Sequence, residues 1–152
     1  MDTTDRPIGV ENVEICKACG GKCCMTYPGL ATPEDFGAPD RVLMVKKLSD
    51  ALLSGRWTID WVNQEEGLYF VRPAIKGLEN SVFDHQYFGE CTFLTMTGCE
   101  LTFNERPESC RMLVPRLDEK CDPQGYTRII VANLWKEYYE LLMQVAIEVE
   151  NL

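Results

Sequence analysis

The sequence predicts one small α+β domain with two short β-hairpins, a central helix, a long C-terminal helix and a cysteine-rich metal-binding loop. Three observations carry that expectation. β-Branched and aromatic runs broken by turn residues fill the middle of the chain, apolar residues at three- and four-residue spacing fill its end, and eight cysteines fall into two groups. With 152 residues the chain can build its own hydrophobic core, so cross-links are not needed merely for folding. No repeat, low-complexity segment or linker divides it, and residues 1–152 read as a single domain with 1–15 as an irregular lead-in.

The loop "CKACGGKCC" follows that lead-in directly. Thr32-Pro33-Glu34-Asp35 then offers an N-cap, a proline at the first helical position and two acids at the positive end of the dipole, which predicts a short helical turn. After Pro39, Val42, Val45, Leu48 and Leu52 or Leu53 recur at helical spacing until Gly55, which predicts a helix over about 40–54. "RWTIDWV" and "LYFVRPAI", separated by the polar "NQEEG", predict a hairpin. A smaller hairpin is expected in "CTFLTMTGCELTF", pivoting on Met96-Thr97-Gly98, and "NERPESCR" predicts one or two helical turns capped by Asn104 and ending around Cys110. Ile130, Leu134, Tyr138, Leu141, Leu142, Val145 and Val149 then mark a C-terminal helix of about seven turns whose apolar stripe packs the core.

Charge and address narrow the function. There are 24 acidic against 15 basic side chains and a net charge of −9, so neither a nucleic-acid backbone nor an anionic membrane surface is the expected partner. "MDTTDRPIGVENVEI" has neither a basic nor an apolar leader segment, and no apolar run of about 18 residues occurs. A cytoplasmic location is expected. Thiols stay reduced there, so the even cysteine count reads first as metal ligands and second as disulfides.

The cysteines are Cys16, Cys19, Cys23, Cys24, Cys91, Cys99, Cys110 and Cys121. A CxxC pair presents two sulfurs to one metal while the intervening amides turn toward the thiolates, and Gly20 follows where close backbone approach is needed. Adjacent side chains diverge, so Cys23 and Cys24 are expected to face two centres, or one binds while the other packs. Eight thiolates could fill two zinc sites at Zn–S distances of about 2.3 Å, one iron–sulfur cluster with structural thiols besides, or two clusters. Disulfides within the compact loop would close small rings of little entropic value. A redox CxxC would follow a strand, and none is expected before Cys16.

Together "CKACGGKCC", "CTFLTMTGCELTFNERPESCRMLVP" and "CDP" resemble the YkgJ-type cysteine-cluster family, whose CxxCxxCC domain is described as zinc- or iron-chelating. The resemblance spans roughly residues 16–122, and its more specific part is CxFL, a cysteine eight positions on, and RPxxCR. It implies metal ligation by Cys16, Cys19, Cys23, Cys24, Cys91, Cys99 and Cys110, with Cys121 as the eighth. Three residues, where the family pattern has two, separate Cys19 from the Cys23-Cys24 pair.

Other chemistry is sparse. His85 is the one histidine, either a ligand or proton carrier or a hydrogen-bonded side chain. Arg106 and Arg111 flank Cys110 and are expected to bind backbone or offset thiolate charge. Trp57, Trp61, Tyr69 and Phe70 are expected to fill the core. No phosphate-binding loop, GxSxG elbow or HExxH is present. The paired Cys23-Cys24 and scarcity of histidine favour an iron–sulfur centre over zinc. Such a centre implies electron transfer or service to a larger enzyme as protein partner; a zinc-stapled interaction module and an enzyme acting through its metal are the alternatives.

Overall fold

A computed structural model describes residues 28–86, 88–96, 98–107, 110, 114–115, 121–122 and 127–152. The expected cysteine loop at 16–24 lies outside the described residues.

The frame is the antiparallel hairpin of β1 (Trp57–Asn63) and β2 (Leu68–Pro73), with Ile59 opposite Val71 and Asp60 opposite Phe70. Successive strand residues point to opposite faces, yet Phe70 and Val71 are both fully buried. Both faces of β2 are therefore covered, which explains why "LYFV" is continuously apolar instead of alternating. The edges are covered as well. The Ala31 amide donates to the Val71 carbonyl at 3.0 Å on one side, while on the other the Ile59 amide donates to Val82 at 2.8 Å and Asp84 donates back to Ile59 at 3.0 Å. Little of the strand edge is left to pair with another chain.

The predicted turn at Thr32 is a 3-10 helix, Pro33–Phe36, closed by a capping box in which Asp35 Oδ2 accepts the Thr32 amide at 2.9 Å. The central helix α1 spans Arg41–Leu53, with the Asp40 side chain accepting the Leu43 amide at 3.1 Å. It stops where expected: Gly55 takes φ +78°, and a Cβ there would overlap Asn80. Its buried stripe is Met44, Leu48 and Leu52, whereas Val42 is 83% exposed and Val45 and Leu53 are also exposed. Both stripes share Leu48 and Leu52, and the neighbouring helix lies on the Met44 side.

That neighbour belongs to the C-terminal helical stretch, which is divided in three: α2 (Arg128–Trp135), a 3-10 turn (Lys136–Tyr138) and α3 (Tyr139–Glu150). The tighter winding of the 3-10 turn shifts the phase of the buried face. Consequently α2 packs Val131, Ala132 and Trp135 toward β2, and α3 packs Leu142, Val145 and Ala146 toward α1. Ile130 and Leu134, expected in the core, are about half exposed. Trp135 is buried and donates Nε1–H to the Ala31 carbonyl at 2.8 Å, tying α2 to the edge of the sheet. No helix of the described residues is long and apolar enough to cross a membrane.

The second hairpin is β3 (Leu94–Thr95) with β4 (Gly98–Cys99), Leu94 lying opposite Cys99. Downstream, a 3-10 helix spans Phe103–Glu105, with Glu105 Oε1 accepting the Thr102 amide at 3.0 Å; the turn expected from Asn104 to about Cys110 lies partly outside the described residues. A third pair, β5 (Val114–Pro115) with β6 (Cys121–Asp122), was not expected, because two-residue strands carry no periodic signal.

One face of the main hairpin carries charge into the interior. Asp60 and Arg72 are essentially without exposed surface; Arg72 Nε donates to Asp60 Oδ2 at 3.0 Å. The same guanidinium donates to the carbonyls of Pro73 at 3.0 Å, Asp84 at 2.9 Å and Gln86 at 3.1 Å, and to Asp84 Oδ2 at 3.1 Å. A side chain with this many partners fixes the 84–86 segment against β2. Arg72→Ala is expected to cost about 3–5 kcal/mol in urea unfolding, because it leaves the buried Asp60 carboxylate uncompensated. Lys46→Ala, which breaks the exposed Lys46–Asp50 pair, is expected to cost less than about 1 kcal/mol. Equal effects of the two would contradict the organising role assigned to Arg72.

Candidate metal centre

The cysteine-bearing hairpin is set onto the main frame by its backbone first. Cys91 forms an antiparallel bridge with Ile75, just beyond the end of β2; the Thr92 amide donates to Ala74 at 2.9 Å and the Lys76 amide to Glu90 at 2.8 Å. The Leu94 amide then closes a turn onto the Cys91 carbonyl at 3.0 Å, and Leu94 faces Cys99 across the hairpin. Cys91 and Cys99 are thus on one small, register-fixed unit, Cys91 buried and Cys99 partly exposed.

Side chains lock that unit down. Arg56, at the entrance to β1, donates to both carboxylate oxygens of Glu100 at 2.6 and 2.9 Å, and to the Thr92 carbonyl at 2.8 Å. Its guanidinium lies 4.2 Å from the centre of the Phe93 ring. The Thr92 hydroxyl donates to Glu79 at 2.8 Å. The hydrogen bond to Glu100 raises the Arg56 pKa above its ordinary value against the opposing effect of burial, with the charges of Glu100, Cys91 and Glu79 adding to the rise.

Cys110 follows on a helical turn in which its amide donates to the Pro107 carbonyl at 2.9 Å, and it is partly exposed. Arg106 Nε donates to the Leu101 carbonyl at 3.2 Å, which joins the RPxxC turn to the end of the hairpin and fulfils the backbone role expected of it. Cys121 sits in β6 opposite Pro115. Cys16, Cys19, Cys23 and Cys24 lie outside the described residues, as does Arg111. Cys91, Cys99 and Cys110 are thiols here. Among the described residues no three Cys, His, Asp or Glu side chains converge as a metal-holding group.

His85 is elsewhere. Its Nδ1 is 2.6 Å from Asp60 Oδ1, and its ring stacks on Trp61 at 4.4 Å between centroids and 4° between planes. The group formed by Asp60, Arg72, Asp84 and His85 was not read from the sequence. Its signal was there: Asp60 in "TIDWV" and Arg72 in "FVRP" are charges inside strands, where burial demands a partner. No protein-family model, curated protein or solved structure matches the chain.

Hydrogen bonding makes the cysteine hairpin sensitive to acid. Glu79 has its pKa lowered chiefly by the Thr92 hydroxyl, and Glu100 chiefly by Arg56. A folded-state pKa below the unfolded one means the stabilisation is complete above the unfolded value, about 4.3, and is lost as pH falls through the lower folded value. The Glu100 amide, which donates to Phe93 at 2.7 Å, is therefore expected to lose hydrogen-exchange protection below about pH 4. The Ile59 amide of the main hairpin should still be protected there. Simultaneous loss at both would show that the hairpin has no separate acid-labile anchor.

Proposed function

We propose that the chain is a cysteine-ligated metal protein of the YkgJ type, carrying an iron–sulfur centre and serving in electron transfer or as an accessory to a larger enzyme. The observation that carries this reading is the concentration of four cysteines into the nine residues 16–24, matched by four more in the C-terminal half. A cytosolic chain of this size has no need of so many thiols for packing.

The described residues fit the donor chemistry such a centre requires. Thiolates are soft ligands suited to iron–sulfur clusters and zinc. Cys91, Cys99 and Cys110 are present as thiols on short hairpin and turn segments, Cys91 buried and the other two partly exposed. Arg56 and Arg106 are anchored by their own hydrogen bonds beside this region, and such cations offset the negative charge of a thiolate-bound centre. A bound cluster would supply one-electron chemistry. The chain's part is to hold the sulfurs, shield them from water and keep the cations in place. Ligands drawn from both ends of the sequence would make the fold depend on metal.

Anaerobic purification with iron, zinc and acid-labile sulfide measured on one sample tests the reading. Broad absorbance near about 400 nm with iron and sulfide in similar amounts is expected. A colourless protein holding about two zinc ions would replace the iron centre by a structural zinc scaffold, and a protein with neither metal would overturn metal binding altogether. Cys16→Ser and Cys110→Ser are each expected to lose metal and soluble fold together. Unchanged metal content in either variant removes that residue from the ligand set.

A further inference from the structure

We propose that the groove where α1 and α3 end binds a guanidinium-type organic cation, with Glu150 and Asn80 holding its charged head and Leu53, Phe83 and Val149 covering its hydrocarbon arm. The groove has a volume of about 520 Å³ and opens between the end of α1 (Leu52, Leu53, Gly55), the last turn of α3 (Val149, Glu150) and residues 80–83, a size within the range of small-molecule sites. No cysteine lines it, so the site does not depend on what the cysteines hold.

The field in the groove is negative because the two helices run the same way. At their starts Arg41 donates to the Glu137 carbonyl at 3.5 Å and lies 4.9 Å from the centre of the Tyr138 ring. At their ends both last turns line the groove. Parallel helix dipoles add, so two negative ends meet at one place. Neither helix has a basic residue in its last turn to offset them, and Glu150 adds a full charge. Arg56, next along the chain from Gly55, is turned to Glu100 and Thr92 instead.

The lining sets the ligand class. Asn80 is pinned by its backbone amide, which donates to the Gly55 carbonyl at 2.7 Å, and by a left-handed φ of +73°. Its side chain lies against Gly55, where a Cβ would overlap it. Within the described residues the side chains of Asn80, Ser81 and Glu150 make no hydrogen bond or ion pair, which leaves an amide oxygen, a hydroxyl and a carboxylate open to donors. A divalent metal is the wrong guest, because one carboxylate is too few for it and no three metal-ligating side chains converge among the described residues. A planar guanidinium matches a single carboxylate with two parallel N–H bonds, is more weakly hydrated than an ammonium and stacks on aromatic rings; Phe83 is the aromatic residue of the lining. Leu53, 53% exposed, and the partly buried Val82 and Val149 complete an apolar surface that a hydrocarbon arm removes from water.

Isothermal titration calorimetry of the full chain, as purified, with butylguanidinium tests the assignment. One equivalent should bind with a Kd of about 1 mM or lower. Butylammonium should bind at least about threefold more weakly, and guanidinium ion, which lacks the arm, at least about tenfold more weakly. Glu150→Gln is expected to weaken binding about tenfold, and Asn80→Gly, which tolerates the left-handed φ, about threefold. Glu148→Gln removes the same charge from α3 outside the groove, where Glu148 accepts from Gln144 at 3.0 Å, and should change the Kd less than about twofold. Circular dichroism confirms that the variants fold; if Glu150→Gln does not, Asn80→Gly decides. Arginine capped at both ends distinguishes the source of the cation: affinity equal to butylguanidinium assigns an arginine side chain, weaker affinity a free alkylguanidine, and either upholds the site. Absence of saturable binding up to about 10 mM would overturn the proposal. So would equal affinity for butylammonium, undiminished binding by folded Glu150→Gln, or an equal loss in Glu148→Gln.

Discussion

Everything described around β1 and β2 depends on the buried pair of Arg72 and Asp60. Two charges removed from water are costly, and the cost is met only when every donor and lone pair has a partner at good distance. Here Arg72 is satisfied by one carboxylate inside the hairpin, a second at Asp84, and carbonyls on either side of it. The consequence is positional. Because Arg72 must reach residues 84–86, that segment cannot leave the sheet without exposing an uncompensated ion, and His85 is carried on it against Trp61. A hydrophobic pair of similar volume could match the stability but would not orient the imidazole.

The same frame extends to the cysteines through Arg56. Ala74 donates to the Arg56 carbonyl at 2.8 Å, so the residue that grips Glu100 and Thr92 is itself fixed at the mouth of the main hairpin. Cys91 and Cys99 are thereby referred to a rigid sheet rather than to a loop. For the proposed centre this matters because ligand sulfurs held on pre-set segments lose less entropy on binding metal. A metal that also engaged the N-terminal cysteines would join parts of the chain separated by the 66 residues between Cys24 and Cys91.

Much of this was legible in the sequence, for identifiable reasons. Elements with strong local signals fell where expected: Asp40 and Gly55 bound α1, "NQEEG" joins β1 to β2, and Gly98, with φ +127°, turns the cysteine hairpin. What was misread was orientation. The burial of Met44 in place of Val42, and of Val131 and Trp135 in place of Ile130 and Leu134, depends on which side of each helix the neighbours stand and on a 3-10 turn at Lys136–Tyr138 that no proline or glycine announces. The Asp60–Arg72–Asp84–His85 group was missed for a similar reason. Its members are separated by as many as 25 residues, and only the hairpin register brings them together. For the cysteines, composition and spacing speak to ligand chemistry, while the way they group depends on loop paths that local sequence does not encode.

The central claim, that thiolates of this chain hold a metal, is tested most directly by X-ray absorption at the iron and zinc edges of the anaerobically purified protein. A first shell of sulfur alone at about 2.3 Å is predicted for either metal, with an added iron–iron distance if the centre is a cluster. A first shell of oxygen or nitrogen, or the absence of both metals, would contradict it.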